Sequence, residues 1–200
     1  MPTNGAAHKV VMDFDDLSDG NDRLDILLRL KERDPGFKVT LFAIPARCGD
    51  DLLKRYDNLK SWIQLCIHGF RHSRHEALGW MQDEAEDKLE RAMHIYPFAP
   101  VFKGPNWQMT DEVYAACKAR GVSVADHISN LAIIPVGMPV YIYNIKLRSD
   151  PYTRIHGHIQ DWTHTGTDGL EEAYEKWSSP EVGSEYLFVT DAISPWQGVG

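Results

Sequence analysis

His8-Lys9-Val10-Val11-Met12-Asp13-Phe14-Asp15-Asp16 decides the fold of this chain. Residues 8–14 form a short run, β-branched in its middle, which predicts a buried strand, and the run ends in acidic residues. Leu24, Leu27, Leu28 and Lys31 follow at helical spacing, and Asp34-Pro35-Gly36 stops that helix. A second apolar run, residues 37–44, is closed by Pro45. Strand, helix and strand in this order start an α/β domain.

The alternation continues outward from there. Residues 50–59 predict a helix, and residues 62–67 predict a third buried strand with His68 at its exit. Met81, Ala85, Leu89, Ala92 and Tyr96 mark one face of a long helix whose other face is charged. Residues 101–103 read as a fourth strand. Thr110 reads as the N-cap of a helix that carries Val113, Ala116 and Cys117 and ends at Gly121. Residues 122–125, 140–145, 152–155 and 186–190 are further strand candidates, and Leu170, Ala173, Tyr174 and Trp177 predict a last helix. Residues 126–139 hold a strand-like stretch, 131–134, but no helical pattern. A parallel barrel with an imperfect second half fits this order better than an open, doubly wound sheet.

The 200 residues, 43% of them apolar, suit a single domain spanning 1–200. The formal charge of −8 is spread along the chain, so nucleic acid and anionic membrane are poor candidate partners. Cys48, Cys66 and Cys117 lie far apart with no C-x-x-C pair and read as reduced, structural thiols. Residues 1–7 carry no secretory pattern, and no run approaches the ~20 apolar residues of a membrane span. A cytoplasmic location is therefore the default expectation. Nothing in the pattern addresses oligomeric state.

Polar residues fall at one end of the expected strands. Asp15 and Asp16 stand at the exit of the first, His68 of the third, Lys103 of the fourth, Asp126 of the fifth and His158 of the seventh. The C-terminal ends of parallel barrel strands converge, so these segments can build one site. Imidazole with carboxylate suits zinc, cobalt, nickel or iron. His68 and His72, four residues apart, present both rings on one side of a helical turn. Each signal alone has an ordinary explanation: the acidic doublet as a turn or N-cap, the histidine pair as a common spacing, and His75 as a surface residue.

Four motifs in order carry a resemblance. Phe14-Asp15-Asp16, His68-Gly69-Phe70-Arg71-His72, Phe102-Lys103-Gly104-Pro105-Asn106-Trp107 and His156-Gly157-His158 resemble those of the NodB-like polysaccharide deacetylases, carbohydrate esterase family 4. Val39-Thr40-Leu41-Phe42 is similar to that family's second strand, so the likeness runs from about residue 8 to beyond residue 158. The resemblance implies a distorted (β/α)7 barrel. It implies a divalent metal, zinc first and cobalt, nickel or iron(II) next, held by Asp16, His68 and His72. Asp15 would be the base and His158 the general acid, with His156 the less favoured choice. A metal-activated water would attack an acetamide of an N-acetylated sugar or polysaccharide, and a backbone N–H of the 105–107 turn would meet the oxyanion. Lys103, Pro105, Asn106, Trp107 and Trp162 would line the substrate groove, with Trp107 and Trp162 as stacking platforms or as core.

The sequence departs from the family pattern at several positions. Gly69 stands where the family has Ser or Thr, Lys103 where it has Arg, and Asp13 where it tends to have Thr or Ser. No copy of the D-x-x-D-W motif is present, leaving Asp126 and Asp150 as candidate supports for His158. Two rival readings follow: a hydrolase of linear or cyclic non-sugar amides on the same fold, and an inactive glycan-binding relative. The latter predicts a damaged Asp, His, His set, which is intact here.

Overall fold

The computed structural model describes residues 8–143, 152–160, 169–170, 172 and 184–198. Its order is β1 (His8–Leu17), α1 (Leu24–Arg33), β2 (Val39–Ala43), α2 (Asp50–Asp57), β3 (Ile63–His68), α3 (Gln82–Ile95), β4 (Val101–Lys103), α4 (Asp111–Ala119), β5 (Ser123–His127), β6 (Pro139–Tyr143), β7 (Tyr152–His158), β8 (Ser184–Leu187) and β9 (Ser194–Pro195). Neighbouring strands run β7-β1-β2-β3-β4-β5-β6 with every pairing parallel, and β9 adds antiparallel to β6. β8 lies parallel to the first half of β1 through His8–Leu17's opening four positions. β6 and β7 share no ladder among the described residues, yet the rings of Tyr143 and His156 on them lie 5.0 Å apart. The sheet is therefore curled into a barrel with an open seam.

Strand alternation sorts the core into two layers. Val10, Met12, Phe14, Leu41, Leu65, Ile67, Phe102 and Val124 point outward and bury against α1 to α4. Val11, Phe42, Cys66, Val101, Ala125, Tyr141 and Tyr143 fill the barrel interior. By the same alternation Asp13, Asp15, His68, Lys103 and His156 continue the inner layer toward the C-terminal ends of the strands. Thr110 caps α4 by accepting the Val113 N–H at 3.4 Å, and Gly121 beyond its end sits at φ +66°.

The structure differs from the sequence reading in three places. β1 runs on to Leu17 instead of stopping before the acids. Residues 131–134 form a turn, not a strand. The last parallel strand is Ser184–Leu187, followed by a 3₁₀ turn at Val189–Ala192. The expected helix at 170–177 lies mostly outside the described residues, as do Asp150 and Trp162. No helix among the described residues is long and apolar enough to cross a membrane. The three cysteines are unpaired and buried, and burial pushes the Cys48 thiol up to about 12.

Candidate metal centre

Consecutive residues of a strand face opposite ways, so Asp15 and Asp16 cannot both enter one site from a regular ladder. The β1–β2 register shifts between Phe14 and Leu17, and Asp16 adopts φ +74°. This local irregularity turns both carboxylates into the barrel mouth. His68 comes from the end of β3, and His72 from the loop beyond it at φ +56°. Asp16, His72, Asn106 and Trp107 account for four of the six described non-glycine residues at positive φ. Such backbone is unfavourable and persists where its surroundings enforce it, here around one cavity.

That cavity, about 420 Å³, is lined by Asp15, Asp16, His68, His72, Gly104, Asn106, Trp107, His127, Tyr143, His156 and His158. At its floor three donor atoms converge. Asp16 Oδ1 lies 3.5 Å from His68 Nε2 and 3.2 Å from His72 Nε2, and the two Nε2 atoms are 3.1 Å apart. Ligand atoms each about 2.0–2.2 Å from one ion at tetrahedral angles stand about 3.3–3.6 Å apart, so this triangle is close to the size required.

Two further observations fit a cation. Asp16 Oδ1 is buried without a hydrogen-bond partner, while Asp16 Oδ2 accepts from Gln160 Nε2 at 2.8 Å. His68 Nδ1 faces the Lys103 carbonyl at 3.2 Å, the bond that leaves the Nε2 lone pair pointing into the triangle. Burial pushes the His68 imidazole down to about 4 against the pull of Asp15 and Asp16, so it is neutral, as a ligand must be. Asn21 extends the support: its Nδ2 donates to the Gln160 side-chain oxygen at 2.6 Å and to the Asp16 carbonyl at 2.8 Å.

Asp15 sits beside this triangle, its Oδ2 3.6 Å from His68 Nε2. Burial alone would raise its carboxyl; the Lys103 ammonium, by its charge and its hydrogen bond, prevails and holds it well below the usual range. Lys103 is 1% exposed and lies under the cavity rather than in its wall. Its Nζ donates to Asp15 at 2.7 Å, Asp13 at 3.3 Å and Tyr143 Oη at 3.3 Å, and lies 4.3 Å from the Trp107 ring centre. Asp13, Asp15 and His156 form a second acid–histidine group, but its cation is this ammonium, 3.3 Å from His156 Nδ1.

The remaining expected residues separate. His158 pairs across from Asp15 in the β1–β7 register and lines the cavity, its imidazole lowered by burial. His156 pairs across from Asp13, with Nδ1 3.0 Å from Asp13 Oδ1. Asn106 and Trp107 line the cavity, whereas Pro105 is buried behind them. Trp107 packs edge-on against Tyr143 and His156. Asp126 lies on the outer face of β5, where it accepts from Tyr114 Oη and, at 2.7 Å, from Asn130 Nδ2. It therefore faces α4 and not the cavity; burial raises its carboxyl. Through Asn130, which also donates to the Trp107 carbonyl at 2.7 Å, it braces the 105–107 turn.

Residues that the sequence reading gave no site role also converge. Tyr143 and Gln160 had no motif to mark them. Glu76 had none either, yet its carboxylate accepts the backbone N–H groups of Phe70, Arg71 and His72 at 2.8, 3.1 and 3.0 Å.

No protein-family model and no curated protein matches the sequence. Solved structures do match the fold. The family 4 acetyl xylan esterase of Clostridium thermocellum, in complex with a cobalt ion, is 15% identical, with 92% of this chain and 89% of that chain covered at a TM-score of 0.59. The Bc1960 peptidoglycan N-acetylglucosamine deacetylase is 16% identical, covering 98% and 92% at 0.59. The BA3943 protein of Bacillus anthracis, a family 4 pseudoenzyme, is 12% identical, covering 96% and 67% at 0.54. The chain thus has the NodB-type (β/α) barrel fold of the carbohydrate esterase family 4 structures, at low sequence identity.

Proposed function

We propose that this chain is a divergent, metal-dependent deacetylase of the carbohydrate esterase family 4 kind, acting on an N-acetylated sugar. The fold cannot carry this by itself, because one matching structure is a pseudoenzyme. The observation that carries it is the triangle of Asp16 Oδ1, His68 Nε2 and His72 Nε2, with a buried, partnerless oxygen at one corner. These residues would hold the ion, and zinc suits the donor set, with cobalt, nickel or iron(II) as alternatives. When bound, a divalent ion supplies Lewis acidity for the scissile carbonyl and charge for the oxyanion.

The chain's own groups supply the rest. Asp15, kept ionised beside Lys103, takes the proton of the attacking water. In the 105–107 turn Pro105 has no N–H and the Trp107 N–H donates to the Gly104 carbonyl at 3.1 Å. The Asn106 N–H is left as the turn's donor for an oxyanion. His158 protonates the departing amine. Trp107 offers an aromatic edge to the sugar.

Metal analysis followed by acetate-release assays on N-acetylglucosamine oligomers, peptidoglycan fragments and nucleotide sugars tests this reading. Stoichiometric metal and acetate from at least one glycan are expected. A folded chain that binds no metal refutes it, and bound metal with acetate released only from non-sugar amides moves the substrate to that class.

A further inference from the structure

We infer that Glu76 is the positioning residue of the metal loop: its carboxylate is an internal anion around which residues 69–72 are wound, and it thereby sets the affinity of the site for its ion. This rests on the reading of Asp16, His68 and His72 as ligands.

His68 is fixed by β3, but His72 hangs on a loop and reaches the triangle only if that loop holds an unfavourable course. Gly69 is at φ +58° and His72 at φ +56°. Between them three consecutive amides aim at one side chain. The N–H groups of Phe70 and His72 share Glu76 Oε1 at 2.8 and 3.0 Å, and that of Arg71 meets Oε2 at 3.1 Å. Successive amides around one anion make a concave anion site, and charge-assisted bonds of this kind are the stronger ones. Here the anion comes from the chain itself, four residues beyond the ligand it orients.

Gly69 belongs to the same device. A Cβ at position 69 would stand 2.1 Å from Glu76 Oε1 and 2.6 Å from Pro105 Cγ. A side chain there and this carboxylate exclude each other. The resembled motif has a hydroxyl-bearing residue at this position; this chain has Gly69 there and a carboxylate from elsewhere in the space. A loop brace of no consequence for the ion would predict the same bonds, so the test must read metal affinity and loop stability separately.

Wild type, Glu76→Ala and Glu76→Gln, stripped of metal, are titrated with Zn²⁺ against a chromophoric chelator, with thermal melts of the metal-free proteins alongside. Glu76→Ala should weaken zinc by about 10–100-fold, the usual cost of losing an outer partner of a ligand. Glu76→Gln, which keeps an acceptor but no charge, should fall between. Formate, an anion small enough for the vacated space, should recover part of the Glu76→Ala loss and leave wild type unchanged. Should Glu76→Ala not fold, Glu76→Gln carries the test through a several-fold loss. Wild-type zinc affinity in a folded Glu76 variant, or a loss that formate leaves untouched, overturns the inference. Wild type that binds no zinc refutes the metal-site reading itself, a result distinct from either.

Discussion

Lys103→Met tests the buried charge balance beneath the site. The ammonium it removes lies 2.7 Å from Asp15 and 3.3 Å from Asp13, both carboxylates being buried. At an effective dielectric of about 20 those separations correspond to gross attractions of about 6 and about 5 kcal/mol. Desolvation of all three groups offsets most of this, but removing one partner strands the others, a net cost of about 3–5 kcal/mol. For a chain of this length that lowers Tm by roughly 6–20 °C. The pH dependence identifies the cause. In wild type the Asp15 carboxyl is depressed, so its contribution is present above the unfolded value near 4 and is lost only as pH falls through the lower, folded one. Without Lys103, burial faces less opposition and that carboxyl rises. The native state then holds protons that the unfolded chain releases, and stability drops as pH rises past about 4. Melts followed by circular dichroism in chelator, at about pH 4.5 and about pH 7.5, should show a deficit at the lower pH that deepens at the higher. A Tm like that of wild type, or a deficit independent of pH, would refute the reasoning.

His158→Ala should keep stoichiometric metal and lose about 10²-fold or more in acetamide turnover, whereas His68→Ala should lose both; near-normal turnover in the first would point to another acid. Gly104→Ala places a Cβ 2.5 Å from the Gln108 carbonyl oxygen and 2.8 Å from Met109 Sδ, so it should cost about 1–3 kcal/mol in urea unfolding and weaken substrate binding through the 105–107 turn. His68, lowered by burial to about 4 from an unfolded value near 6.5, contributes stability that is present above about pH 6.5 and is lost as pH falls toward 4. In metal-free protein His68→Gln should flatten that part of the stability–pH curve, and an unchanged slope would show that another group is responsible.

Much of the barrel was legible because parallel strands buried on both faces leave continuous apolar runs between amphipathic helices. Residues 101–103 illustrate this: three residues sufficed because Thr110 and Gly121 bounded the helix that follows. The second half was less legible. The β5–β6 connection contains turns and 3₁₀ structure without a helical period, so its Leu131 to Ile134 stretch mimics a strand. The acidic doublet was visible, but not the shift of register and the positive φ of Asp16 that bring both acids to one side. Asp126 was misleading for a related reason. It lies near a strand exit, but strand alternation sends it outward to Tyr114, and one residue of register separates a site carboxylate from a helix brace. Glu76 left no trace because a side chain that binds three backbone amides has no partner residue type to search for.

The departures from the family pattern are better understood in space than along the chain. Asp13, Lys103 and His156, from β1, β4 and β7, meet at 3.0–3.3 Å. A guanidinium could brace a base with two parallel bonds; an ammonium is a point charge and must be centred by its surroundings. Asp13 and Tyr143 do this on one side and Asp15 on the other, with the Phe42, Trp107 and Tyr143 rings within 4.3–4.6 Å of the charge. With the shorter cation, the second carboxylate at position 13 has a physical role: it adds an acceptor and helps fix the ammonium below Asp15. His156 then occupies the corner beside Asp13, where its ring also packs against Trp107. Asp13 and Lys103, two of the positions where the sequence departs from the resembled pattern, thus belong to one contiguous support, and Asp13→Thr or Lys103→Arg alone should disturb Asp15 more than the two changes together.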